Sequence, residues 1–285
     1  MTLNTSTLPE IEHPALWRLL LHLDDAELTV AMLNTASDAS LHLLRFPLPD
    51  GPTLRTFEEI VYDNPILLSD FKKVDIITRS RQFVFAPAGI DAPAAEALAS
   101  TYVPDTGSNI TFESYISTPA DDLLELWAFP DIDVLNFLGR TFSTRKHHHH
   151  LESLVAYFGR SNALGNSAKL YVNIHRPSDA SAPRGQLDLI AFARGGKMQL
   201  ANTIPFESID DAAYYILAAA RGAGLDLSAD EILLGGDKAL RADIIKVLSR
   251  FAASVMPIIF PAAALRFGPA ATDAPLPLIF IPLCE

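Results

Sequence analysis

The sequence predicts an α/β protein built as two similar halves facing a central cleft. Three observations carry that expectation. Three short apolar runs separated by turn residues open the chain, the same rhythm returns in the second half, and helices and strands alternate behind each opening. The small polar stretch "SNALGNS" (Ser161 to Ser167) lies between them, so the first unit is expected at 13–165 and the second at 166–285.

The opening runs are "LWRLLLHL", "ELTVAMLN" and "SLHLLRFPL". Their spacers "DDA" and "TASDA" are turn chemistry, which makes an antiparallel meander from Leu16 to Leu48, closed by "PDG". "TLRTFEEIVYDNPIL" has Thr53 as a cap and Leu54, Phe57, Ile60 and Val61 at helical spacing. "KVDIITRS" and "QFVFAPA" are rich in β-branched and aromatic residues and predict strands. "DAPAAEALASTYV" predicts a helix capped by Asp91 with proline near its start. "TFESYIST" and "DDLLELWAF" follow as strands, then "DIDVLNFLGRTF" and "HLESLVAYFGRSNAL" as helices.

The second half repeats the plan. "KLYVNIHR", "QLDLIAFA" and "KMQLANTI" predict a second meander, its last two strands joined by "RGG". "SIDDAAYYILAAARGAGL" predicts a helix with Ser208 as N-cap and Asp211 three residues on. "EILLGG" is expected as a strand and "ALRADIIKVLSRFAAS" as a helix. "AALRF" and "PLIFIPL" are expected as strands, the latter at a sheet edge or against the first half because proline flanks it. Two α/β halves that each open with a meander imply two ribonuclease-H-like subdomains across a cleft.

Composition narrows the function. Hydrophobic residues are 49% of the 285, a globular value. Twenty-two basic against 34 acidic residues give a net charge of −12, which disfavours nucleic acid and anionic membrane surfaces. No run approaches the ~20 apolar residues of a membrane span, and the N-terminal stretch lacks a basic leader pattern, so a cytoplasmic protein is expected. The one cysteine, Cys284, excludes an internal disulfide and is expected as a small apolar residue ending a strand.

The order meander, helices, second meander, long helix, strand with Gly-Gly, helix is similar to that of the actin-like ATPase superfamily. Actin, the Hsp70 chaperones, sugar kinases and bacterial division and pilus-assembly ATPases belong there. More narrowly, "LYVNI", "LDLIAF", "GKMQLANTIPFESIDDAAYYIL" and "EILLGGD" resemble an uncharacterised bacterial family of that superfamily. The resemblance implies three nucleotide elements. In active members the first meander turn reads Asp-x-Gly with Ser or Thr following. Here "HLDDAELTVAML" offers Asp24 but no glycine, and Glu27 puts a carboxylate where phosphate would sit. Such a contact costs on the order of 1–4 kcal/mol. The second turn, Asp-x-Gly-x-Gly-Thr in active members, has Asn173 at the acid position and a long loop with two prolines, which donate no N–H. Arg176 and Arg184 flank that loop and could meet an anion. The third element, glycines behind a strand, is kept as Gly235 and Gly236.

Other signals are weaker. "RKHHHH" (Arg145 to His150) brings two imidazoles to one face whether extended or helical, short of the four ligands of a closed site, and is expected as an exposed run with adventitious metal affinity. His175 beside Arg176 is expected on the rim. The pairs Asp24–Asp25, Asp121–Asp122 and Asp210–Asp211 are sequence neighbours, which point apart on a strand, and the last favours a helix N-terminus. No Gly-x-Ser-x-Gly, Walker or Gly-x-Gly-x-x-Gly motif is present.

The expectation is therefore a non-catalytic actin-like protein with eroded phosphate loops that binds a protein partner or itself. No cofactor is expected. The alternative is an atypical ATP/Mg²⁺-binding ATPase or small-molecule kinase of that superfamily, which keeps Asp24, Gly235 and Gly236 and recruits Arg176 or Arg184 to the phosphates.

Overall fold

A computed structural model describes residues 11–36, 41–49, 51, 53–80, 83–91, 93–94, 97–98, 101, 113–115, 124–128, 132–142, 145–176 and 184–284. The first meander is β1 (Trp17–Leu23), β2 (Glu27–Asn34) and β3 (Leu41–Pro47). β4 (Lys73–Thr78) pairs parallel with β1. A small antiparallel sheet, β5 (Phe83–Pro87), β6 (Glu113–Tyr115) and β7 (Leu124–Ala128), is inserted after it in the order β5-β7-β6. β8 (Arg145–His149) then pairs parallel with β4 and completes the first sheet, β3-β2-β1-β4-β8.

The second sheet copies the first. β9 (Lys169–His175), β10 (Gly185–Phe192) and β11 (Met198–Phe206) form the antiparallel meander. β12 (Glu231–Gly236) and β13 (Ser254–Pro257) add in parallel, giving β11-β10-β9-β12-β13. Three antiparallel strands followed by two parallel ones, twice, is the paired ribonuclease-H-like topology the sequence predicts.

Among the described residues the helices with both ends placed are α1 (Leu54–Asp63), α2 (Ile132–Thr141), α3 (His150–Asn162), α4 (Ile209–Gly222), α5 (Lys238–Leu248), α6 (Ala262–Leu265) and α7 (Leu276–Phe280). Strand alternation sorts their partners. Leu19, Leu21, Val30 and Ile76 face outward onto Phe57 and Val61 of α1 and Val134 and Leu138 of α2. Val172, Leu187 and Leu189 face outward onto Ile216 of α4 and Ile244 of α5. The inner faces meet around α3 and α7: Leu20, Ala31 and Ile77 from one sheet, Tyr171, Ile190 and Phe192 from the other, enclose Leu154, Phe158, Ile279 and Phe280. With both faces covered, all seven residues of β1 are buried, which explains its nearly continuous apolar run.

The expected caps are in place. Thr53 Oγ1 accepts from the Thr56 amide (3.3 Å), Ser208 Oγ from the Asp211 amide (3.1 Å), and Asp91 Oδ1 from the Ala94 amide (2.9 Å). Thr53→Ala is expected to destabilise by about 1 kcal/mol, read as a lower urea midpoint at unchanged slope.

Three expectations fail. "AALRF" and "PLIFIPL" are not strands: they fall in α6 and α7, the latter running into a 3₁₀ turn over Ile281–Leu283. A short apolar run has no period to separate helix from strand, and Pro277 sits in the first turn of α7, where a missing N–H costs nothing. As a helix the segment buries Leu278, Ile279 and Phe280 between the sheets. Cys284 accordingly follows the 3₁₀ turn, with its amide on the Phe280 carbonyl (3.0 Å), rather than ending a strand. The histidine run is not exposed: His147 is half-buried and His148, His149 and His150 are buried. Among the described residues no group of three or more His, Cys, Asp or Glu is placed to hold a metal. β13 was also unforeseen, being four residues long. The "PDG" aspartate, most of the helix expected after Asp91, Asp121–Asp122 and the centre of the loop behind Asn173 lie outside the described residues.

Candidate functional site: the cleft between the sheets

The inner face of each sheet is apolar at one end and polar at the other. On β1, Leu20 belongs to the central core, and His22, two residues on, faces the same way at the polar end. Thr29 pairs with His22 across β1–β2 and with Arg45 across β2–β3. On the other sheet Tyr171 gives way to Asn173 and His175, and Ile190 to Asp188 and Gln186. The polar ends face each other across a cleft of ≈680 Å³.

Asp24, Gly235 and Gly236 all line this cleft, as do Asn173 and Arg176. Arg184 is exposed just before β10. Asp24 sits in the β1–β2 turn and is buried. Its Oδ1 accepts from the amides of Ala26 (2.8 Å) and Glu27 (2.9 Å), and its Oδ2 lies 3.2 Å from His175 Nε2 of the opposite sheet. Burial opposes ionisation there, but the His175 hydrogen bond and charge, with the Ala26 amide, hold its carboxyl well below the usual range. Glu27 Oε1 accepts from Thr29 Oγ1 (2.9 Å) and Arg45 Nη1 (2.8 Å).

The glycine pair has an internal explanation. Gly236 has φ 83°, and a Cβ there would overlap the carbonyl of Ile174 on the neighbouring β9. A Cβ on Gly235 would lie 2.7 Å from Leu276 Cδ1 and 2.9 Å from Ile258 Cδ1. Asp237 then caps α5, accepting from the amides of Ala239 (3.0 Å) and Leu240 (2.9 Å). The C-terminal segment that supplies Ile258 and Leu276 clasps both halves: Leu41 N–H donates to the Phe267 carbonyl (3.1 Å), Arg45 Nη2 to the Asp273 carbonyl (2.5 Å), and Lys238 Nζ pairs with Asp273 (3.2 Å).

The floor carries residues not singled out from the sequence. Arg79, directly after β4, reaches across to β10. Its Nη2 and Nη1 bond the two oxygens of Asp188 (2.6 and 3.2 Å) and its Nε bonds Gln186 (2.9 Å). Asp188 also accepts from Asn173 Nδ2 (2.8 Å), Thr203 Oγ1 (3.0 Å) and His150 Nε2 (3.1 Å). Burial would raise its pKa, but the Arg79 charge, then His150 and Asn173, hold it far below the usual range. The available signal was a charged residue inside an apolar strand, in "QLDLIAF" and directly behind "KVDIIT".

Comparison with known proteins agrees with this architecture. A crystal structure from Bacteroides thetaiotaomicron VPI-5482, described as a protein with actin-like ATPase fold and unknown function, superimposes with a TM-score of 0.75 at 18% identity, covering 88% of this chain and 94% of that one. The PilM–PilN type IV pilus biogenesis complex matches with a TM-score of 0.52 at 13% identity, over 92% and 97% of the two chains. No curated protein matches the sequence. Residues 9–255 match a family of proteins of unknown function, DUF3822. Most of the chain is spanned by that match, so this actin-like-fold protein belongs to the DUF3822 family.

Proposed function

We propose that the cleft does not hold a nucleoside triphosphate in a reactive pose, and that the protein is a non-catalytic scaffold that binds a protein partner or a second copy of itself. One observation carries the reading. The Ala26 and Glu27 amides, which a phosphate turn would present to its ligand, donate instead to the carboxylate of Asp24. The wall next to them carries Glu27, whose carboxylate already holds Arg45 (2.8 Å), so that cation is engaged as well. Arg79 is committed to Asp188, and Gly235 is covered by Ile258 and Leu276. The PilM–PilN match is a complex by its own description, and partner binding is carried from it to this chain as part of the proposal. A boundary between the halves at 165/166 is also part of the proposal and rests on the small polar stretch Ser161 to Ser167.

A second reading, atypical ATP/Mg²⁺ binding at Asp24, Gly235 and Gly236, is favoured by the size of the cleft and by Arg176, Lys238 and Arg241 on its wall. Calorimetry separates the two. Titration of Mg²⁺–ATP to roughly millimolar concentration should give no saturable heat. Micromolar binding accompanied by phosphate release would select the second reading.

A further inference from the structure

Where the sheets meet, hydrogen bonds assign the protonation states of three histidines, and a fourth is buried with none. His148 has a carboxylate at each ring nitrogen, Asp75 Oδ1 at 2.9 Å from Nε2 and Glu152 Oε2 at 3.1 Å from Nδ1. A second proton is welcome there, and although burial works against it, those partners raise its pKa.

The next two residues differ. His149 Nε2–H donates to the Ser80 carbonyl (3.0 Å), and its Nδ1 accepts the Leu151 N–H (3.4 Å), capping α3. That cap needs a bare Nδ1, and a proton there would set donor against donor at the first turn of the helix. His150 Nε2–H points at Asp188 Oδ1 and Thr203 Oγ1, both at 3.1 Å, while its buried Nδ1 has no partner. The rings of His149 and His150 are 4.3 Å apart. On β1, His22 is 1% exposed and neither of its ring nitrogens has a hydrogen-bond partner. The charged and titratable groups facing these three rings are Asp24 from the β1–β2 turn, Arg79 from the end of β4, His175 from β9 and Asp188 from β10. β11 contributes the uncharged Thr203.

We propose that this cluster is an acid-operated catch between the halves. Proton uptake by His149 and His150, with His22, uncaps α3, places a second cation beside Arg79 and an orphaned N–H in the floor, and lets the cleft open. The sign follows from linkage. Burial lowers His22 to about 3 and His150 to about 4, with the Arg79 charge adding to it, and lowers His149 well below the ordinary value. In an open form the same rings regain water and titrate near 6.5. Between roughly pH 6.5 and 4 the open form therefore binds more protons, and each ring shifts the closed-to-open ratio about tenfold per pH unit toward open. His148 acts oppositely: its contribution is full below about 6.5 and is lost as pH rises through its raised value. Asp24 and Asp188, with lowered pKa values, stay ionised through the window.

The test is small-angle scattering with far-ultraviolet circular dichroism on the full chain, from about pH 7.5 to about pH 4.5. Wild type should expand within the window while keeping its secondary structure. H149N/H150Q, which retains an acceptor at the cap and a donor toward Asp188 but cannot titrate, should stay compact to a lower pH. Identical midpoints in the two proteins, no expansion of wild type, or loss of secondary structure together with expansion would each overturn the proposal. Should the double variant not fold, ring-proton NMR on wild type decides: His149 and His150 titrating at the scattering midpoint supports the catch, and rings that stay neutral through the expansion refute it.

Discussion

Asp188→Ala is expected to destabilise the protein by about 3–5 kcal/mol, because it strips the acceptor from a buried arginine and leaves that charge uncompensated. The carboxylate is fully buried and receives Arg79, Asn173, Thr203 and His150. For a chain of this size the loss corresponds to roughly 6 °C or more in melting temperature. A denaturant titration measures it. The companion double variant Arg79→Met with Asp188→Leu should recover the part of the loss that comes from the uncompensated Arg79 charge, while Asn173, Thr203 and His150 still lack their acceptor. A single variant that melts like wild type would show that the bond joining β4 to β10 holds nothing together. The acid dependence has the same origin: the contributions of Asp24 and Asp188 are present above about pH 4 and fall away below it, as the depressed carboxyls finally protonate.

Gly236→Ala is expected to cost about 3 kcal/mol or more. The left-handed conformation at φ 83° alone costs a residue with a Cβ about 1–3 kcal/mol, and the added methyl overlaps the Ile174 carbonyl, which is backbone and cannot swing aside. β9 and β12 would have to separate where they build the cleft wall. Gly235→Ala meets only the ends of the Leu276 and Ile258 side chains, so it should cost about 1 kcal/mol and act locally. Equal effects at the two glycines, in thermal melts of both variants, would contradict this division of labour.

The parts of the fold that could be read in the sequence are those where pattern and partner agree. β1, β2, β9 and β10 are apolar runs bounded by turns, and α1 and α4 carry their caps and periodic stripes. β8 was hidden because it is a run of basic side chains, whose extended form depends on a parallel partner 71 residues away, at Thr78↔His149. α7 was misread because "PLIFIPL" is apolar on every side. A segment enclosed between two sheets needs no polar face, and its helical form shows only when the space between α3 and β1 is known. The cleft was legible in outline, through Asp24 and the Gly-Gly pair. What the turn does with its own amides was not, because an aspartate that closes on itself and one that waits for a ligand are spelled alike. The charges at Arg79 and Asp188 beside or inside apolar strands were visible, but their pairing spans 109 residues and has no local signature.

Crystals grown with Mg²⁺ and a non-hydrolysable ATP analogue would show whether the cleft takes a triphosphate. The expected result is an empty cleft floor, with the Ala26 and Glu27 amides still closed on Asp24 and Arg79 still on Asp188. A triphosphate seated between the sheets, with those two amides turned onto its terminal phosphate, would contradict it.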